Sequence, residues 1–216
     1  MKRIYFVLIC FITFTSVYSQ QTPDPAFIKV METHISMLDT TTDFQSYQQL
    51  GNAFERIANA AATQWEPDYY AGFCYAVLAF QVKDKSQVDA LADKADAFLD
   101  KADKLRPSNS EISTLRAMIT NTRILVDPAN RWRDLSSTSA DWLAKAKQQD
   151  ATNPRPYYVE ARTKLYTPAM LGGGPEAALP ILEEALTRFK DFKPSSSIAP
   201  NWGSAEAQKL LAQLKK

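Results

Sequence analysis

Few side chains in this chain could act as nucleophile, base or metal ligand. His34 is the only histidine, so any histidine-based triad has one possible base. It lies between Glu32 and Ser36, beside the apolar Met31 and Ile35, which reads as a surface or half-buried structural imidazole. Cys74 sits in the run Phe73-Cys74-Tyr75-Ala76-Val77-Leu78, the setting of a small buried hydrophobe rather than a reactive thiol. Zinc sites need several Cys or His ligands. A Gly-x-Ser-x-Gly nucleophile motif is absent, and so is the aspartate-rich string of a calcium loop. Gly172-Gly173-Gly174 invites a phosphate-loop reading, but Pro175-Glu176 follows it. Proline removes an amide donor and glutamate puts negative charge where phosphate would sit. The carboxylate pairs Glu183-Glu184 and Asp84 with Asp89 fall on charged helical faces. Glu66 and Glu160 lie near tyrosines, yet nothing marks either as the single buried acid of a glycosidase. The sequence therefore predicts no catalyst, no cofactor site and no metal site.

What remains is the chemistry of recognition, and it depends on the elements that present aromatic and arginine side chains. A pattern of small residue, Ile or Leu four later, and Ala three after that recurs as Ala53-Ile57-Ala60, Ala95-Leu99-Ala102, Ser139-Leu143-Ala146 and Ala178-Leu182-Ala185. The intervals are 42, 44 and 39 residues, the spacing of a repeat array. Positions i, i+4 and i+7 share one helical face. Small residues at both ends of that face let a neighbouring helix approach while the central side chain fills the gap. Each copy follows a segment with its own helical stripe, over 25–38, 67–82, 109–126 and 156–166. A last helix over about 204–214 would cover the final exposed face, as stacked arrays require. Thr42-x-x-Gln45 and Ser108-x-x-Glu111 fit capping boxes, and Ser86-x-x-Asp89 is a looser relative. Pro107 and Asp127-Pro128 mark helix ends.

The N-terminus reads as an export signal. Lys2 and Arg3 precede the uncharged run Ile4–Ile12, and Ser19 supplies a small-residue exit. The run is shorter than the roughly 20 residues a membrane span needs. Cys10 follows the bulky Ile9, which disfavours lipoprotein processing. Residues 1–19 are thus expected to be a signal peptide and residues 20–216 one helical domain, exported to periplasm or exterior. Without the signal the chain keeps 23 bases against 24 acids. That balance offers no attraction for nucleic acid or anionic membrane. Cys74 would be the only cysteine left, so no internal disulfide is expected.

Ala95, Leu99, Ala102 and Pro107 match, one for one, the second-helix pattern of tetratricopeptide repeats. Two other copies lack the proline, and the third has Ser139 and Ala151 at the alanine and proline positions. The first helices depart more, with Gly72 as the candidate small residue. The mature chain further resembles a family of exported tetratricopeptide-like proteins from Bacteroidetes-type bacteria. Tyr69-Tyr70-Ala71-Gly72-Phe73-Cys74-Tyr75, Asn153-Pro154-Arg155-Pro156-Tyr157-Tyr158 and Pro200-Asn201-Trp202-Gly203 are among the residues that carry it. The resemblance implies an all-α fold: a right-handed stack of about four antiparallel hairpins, a TPR-like α-solenoid with a C-terminal capping helix. It implies no activity.

In such a stack the first helix of each hairpin lines a concave face. Tyr69, Tyr157, Glu160, Arg116 and Arg123 are the expected exposed positions there, with Arg131 and Trp132 on a possible lip at 129–137. Aromatic and arginine side chains commonly anchor recognition. The stretch 192–203, with Trp202, is a second non-repeat insertion, either lip or packing plug. The expected function is a scaffold for a protein partner in the bacterial envelope. The alternative is a periplasmic small-ligand binder associated with transport, which an aromatic-lined pocket of about 300 Å³ or more would favour.

Overall fold

The computed structural model describes residues 24–215, and the expected signal segment 1–19 lies outside them. Within those residues the chain forms nine α-helices and two single 3-10 turns, with no strand. They are α1 (Pro25–Leu38), α2 (Phe44–Ala60), α3 (Glu66–Gln81), α4 (Val88–Leu105) and α5 (Ser110–Ile124). After them come α6 (Pro128–Gln149), α7 (Arg155–Tyr166), α8 (Pro175–Asp191) and α9 (Ser204–Leu214). No described helix is long and apolar enough to cross a membrane.

Consecutive helices pair as hairpins, and the hairpins stack in chain order, with α3 against α5 and α5 against α7. The first helices therefore form an inner row and the second helices an outer one. α3 is buried on nearly every side, from Tyr69 to Ala79, because it packs against α2, α4 and α5 at once. A helix apolar all round belongs in such a place. In the second, third and fourth repeats the small-large-small face is the hairpin seam: Ala95, Leu99, Ala102, Ser139, Leu143, Ala146, Ala178, Leu182 and Ala185 are all buried. A Cβ on Gly72 would lie 3.0 Å from Leu99 Cδ2, so a glycine there is what lets α3 and α4 meet. Ala117 receives the Ser139 hydroxyl hydrogen bond on its carbonyl, and Ala161 is fully buried in α7. Each of these first helices carries a small residue where its partner approaches.

Several boundaries are set by residues other than the expected caps. Asp43, not Thr42, caps α2 through the Ser46 amide at 2.9 Å. Asp84 caps the 3-10 turn before α4. Ser108 adopts φ 59° and hands the capping role to Asn109, whose side-chain oxygen accepts from the amides of Glu111 at 2.8 Å and Ile112 at 3.4 Å. A short carbonyl-bearing side chain in extended backbone reaches the free amides better than a box one residue off register. Replacing Asn109 by Ala should lower stability by about 1 kcal/mol in urea unfolding, without altering the denaturant slope. The stretch 129–137 borders a surface depression through Asn130, Arg131, Asp134 and Leu135. It is the first half of α6, begun by Asp127 as N-cap and Pro128 at the first helical position.

Candidate functional site

The concave face does not remain open. After α8 the chain returns across the inner row as residues 192–203, where Ile198 joins the main core and Ala199 is buried. Trp202 closes it. Its ring lies 5.1 Å from Phe73 and 6.4 Å from Tyr158, centroid to centroid, and its indole N–H donates to the Tyr69 hydroxyl at 2.8 Å. Gly203 then turns the chain into α9 at φ 105°, with Phe189 so close that a Cβ would sit 3.0 Å from its ring. Trp202 is therefore a packing plug.

Beneath the plug lies a buried ion pair. Arg155 is fully buried and holds Glu111 with two hydrogen bonds, Nε to Oε2 at 2.7 Å and Nη2 to Oε1 at 2.5 Å. Asn153 donates to the same carboxylate at 2.9 Å, and the Tyr69 hydroxyl approaches it at 3.4 Å. The guanidinium also faces the rings of Phe192 at 4.5 Å and Trp202 at 5.8 Å. Burial works against the Arg155 charge, but Glu111 outweighs it and holds the pKa above its ordinary value. Burial, reinforced by Glu111, pushes the Tyr69 phenol well above its usual range. This network ties α3, α5, α7 and the return segment together.

Six of the seven expected partner-binding residues, all but Trp132, make polar or ring contacts within the chain. Tyr69 is fully buried, correcting its placement as an exposed position: the broad apolar face of α3 is covered by α5 and the return segment. On α4, Asp89, Asp93, Asp96 and Asp100 share one face and meet arginines from the next hairpin. Arg116 pairs with Asp100 at 2.7 Å and lies 5.4 Å over Trp142. Arg123 binds Asp93 and Asp96, each at 2.8 Å, and Arg131 binds Asp89 at 2.8 Å. Asp89, Asp93, Arg123 and Arg131 border a depression with Asn130, Asp134 and Leu135, and those two arginines are paired with those two aspartates. Tyr157 is sandwiched between Lys147 at 4.3 Å and Arg188 at 4.2 Å, and Glu160 pairs with Lys147. Trp132 is half-buried in α6. Of the other residues weighed for chemistry, Glu66 is pushed up by burial, and burial raises the Cys74 thiol far above its usual range and makes it inert.

The opening lies instead between α1 and α2. Ala53 is buried, but Ile57 is half-exposed and Ala60 exposed, unlike their counterparts in the other repeats. The cause is the size of the facing side chains. Phe27, Val30 and His34 form one stripe of α1, and no glycine or alanine lies between Phe27 and Leu38. α1 therefore cannot nest as α3 does through Gly72, and it stands off from α2. It is held by Met31 and Ile35, which are buried in the main core. The result is a cleft of about 490 Å³ lined by Ala26, Phe27, Val30, His34, Ala53, Arg56, Ile57, Ala60 and Ala61. Its walls are apolar, and its only polar side chains are one imidazole and one guanidinium. Val30, 44% exposed, leaves apolar surface in contact with water there.

His34, expected as a surface or half-buried structural imidazole, is half-buried with Nδ1 2.8 Å from the Val30 carbonyl oxygen, and the cleft beside it was not foreseen from the sequence. The signal was available: the first helix of the first hairpin is the one without a small residue at its centre. Among the described residues no group of three or more His, Cys, Asp or Glu side chains is arranged to hold a metal ion.

The fold and its opening define a class: an all-α stack of hairpins, plugged on its inner face and cleft between its first two helices. No family model matches the chain, and no curated protein does. Among solved structures it is similar to the HusA haemophore from Porphyromonas gingivalis, with 34% sequence identity and a TM-score of 0.78. The match covers 91% of this chain and 95% of that one. The chain belongs to the HusA haemophore family.

Proposed function

We propose that this chain is an exported, non-catalytic carrier of a haem-class tetrapyrrole, held as cargo in the cleft between α1 and α2. The observation that carries this reading is the cleft itself, joined to the likeness to a haemophore. Its volume of about 490 Å³ falls within the several-hundred range of small-ligand sites. The chemistry of its lining fits a flat macrocycle that is apolar on its faces and carboxylated at one edge. Phe27, Val30 and Ile57 offer apolar contact. Arg56 forms no ion pair among the described residues and is suited to a propionate. No carboxylate lines the walls to repel it. Residues 20–216 act as one domain of tetratricopeptide-like repeats, reached through a signal peptide at 1–19.

Purified protein from residue 20 onward should bind ferric haem and metal-free protoporphyrin with one saturable site per chain. Absorbance and tryptophan-quenching titrations report the two. Val30→Glu adds a carboxylate at an exposed wall position and should weaken both at least tenfold, with an unchanged unfolding midpoint. Failure of both tetrapyrroles to bind overturns the reading. Unaltered binding by Val30→Glu places the site elsewhere.

A protein partner is a second reading, favoured by one observation. Tyr166, Met170 and Leu171, at the turn between α7 and α8, are 75%, 90% and 45% exposed. Clustered exposed apolar side chains of this size mark interaction surfaces. A partner docked there would contact the opposite end of the stack from the cleft, so carrier and adaptor roles are compatible.

A further inference from the structure

We propose that the C-terminal end of α7 and the turn after it dock a protein segment carrying a carboxylate beside a large apolar side chain. Arg162 takes the carboxylate, and Tyr166, Met170 and Leu171 take the apolar group. The proposal rests on the protein-partner reading above and gives that partner its chemistry. Tyr158, Arg162 and Tyr166 follow one another at four-residue spacing on one face of α7. Trp202 packs on Tyr158, at the plug end of that face. One turn further, the half-buried Arg162 guanidinium lies over the rings of Phe80 at 5.7 Å and Tyr158 at 5.8 Å. It forms no ion pair among the described residues. The other arginines of α5 and α7 all do: Arg116 with Asp100, Arg123 with Asp93 and Asp96, and Arg155 with Glu111. Burial raises the Tyr158 phenol, and of the two charges acting most on it the Arg162 cation outweighs the Glu206 carboxylate. A planar guanidinium oriented by two rings and lacking a counter-charge is suited to grip a carboxylate with two hydrogen bonds.

The apolar half of the surface stands on a wound turn. The Leu171 amide donates to the Pro168 carbonyl at 2.9 Å, and the Gly174 amide to the Lys164 carbonyl at 2.8 Å. Gly172 and Gly174 take φ 78° and 96°, and a Cβ on Gly173 would overlap the Thr167 carbonyl, so this winding needs the glycine run. Three exposed apolar side chains are thereby held outward on a hydrogen-bonded frame, which lowers the ordering cost of docking. From residue 161 to 182 the only charges are Arg162, Lys164 and Glu176. That is too sparse a basic patch to draw the turn to an anionic membrane, but it suits a single carboxylate on a protein segment.

The test is selection of a random peptide display library on the purified protein, followed by calorimetric titration of synthetic copies of the enriched peptides. These should share an acidic residue or free C-terminus beside a large apolar residue. Their affinity should fall at least tenfold with Arg162→Gln and with Met170→Asp, at unchanged unfolding midpoints, and stay within twofold with Arg56→Gln. Exchanging the peptide's acid for its amide should cost tenfold against wild type and almost nothing against Arg162→Gln, since the two groups then act as one pair. Peptides that depend on Met170 but not on Arg162 would overturn the carboxylate assignment and leave the partner reading standing. If no enriched peptide depends on either residue, both are overturned. Flotation with phosphatidylglycerol vesicles that is lost in Met170→Asp, with no such peptide enriched, would assign the surface to lipid instead.

Discussion

Arg155→Met should lower the unfolding free energy by about 3–5 kcal/mol, the usual cost of removing one member of a buried ion pair. The reason lies in what stays behind. Glu111, with its side chain 12% exposed, would keep the Asn153 amide and the distant Tyr69 hydroxyl but lose both guanidinium bonds. A carboxylate so placed lacks a counter-charge and most of its solvation. For a domain of this size the loss corresponds to roughly 10 °C in melting temperature. Adding Glu111→Leu to Arg155→Met removes the stranded charge. The double variant should therefore recover much of the loss, since exchanging a whole buried pair for apolar side chains is often close to neutral. Circular-dichroism melts and urea titrations of the single and double variants measure this. A single variant as stable as wild type would contradict the burial of the pair.

Trp202→Ala carries the second large effect and separates plug from lip. The indole fills the space between Phe73 and Tyr158, and its N–H satisfies the Tyr69 hydroxyl. Removing a fully buried tryptophan costs about 3–5 kcal/mol, so a half-buried one should cost about 3 kcal/mol. Arg155 loses an aromatic neighbour as well. Tetrapyrrole affinity should stay within twofold of wild type, because the cleft between α1 and α2 does not include this residue. Normal stability combined with a tenfold fall in affinity would make Trp202 a binding residue and reopen the concave face as the site.

These outcomes bear on how the family's fold is used here. A stack of hairpins ordinarily offers its inner curve. In this chain the return segment occupies that curve, and the polar network under Trp202 fastens it to three helices. The arginine–aspartate contacts along α4 act in the same direction, joining the second hairpin to the third. Exposed pairs of this kind contribute about 0–1 kcal/mol each. Their role is to set how adjacent hairpins sit, with Arg123 held by two aspartates at once. The first hairpin is joined to the second by the Lys94–Glu55 pair at 3.0 Å, and it is where the working surface is proposed.

The helices and their pairing were decided locally. Stripes at helical spacing define α1, α3, α5, α7 and α9, and the recurring Ala-Leu-Ala faces predict which helix each one meets. Periodicity needs only nearest neighbours along the chain, so sequence alone carries it. Capping was legible to within a residue, since Asp43 and Asn109 compete with adjacent hydroxyls on small differences of backbone angle. The burial of Arg155 was not legible. Its partner lies 44 positions earlier, and an arginine with a partner that remote reads like any surface arginine. Tyr69 was misplaced for the same reason: what covers it, Trp202, is 133 positions away. The cleft, finally, arose from a mismatch of sizes across a seam. Phe27, Val30 and His34 oppose a face shaped for glycine or alanine, and only three-dimensional packing shows that the helices separate rather than close.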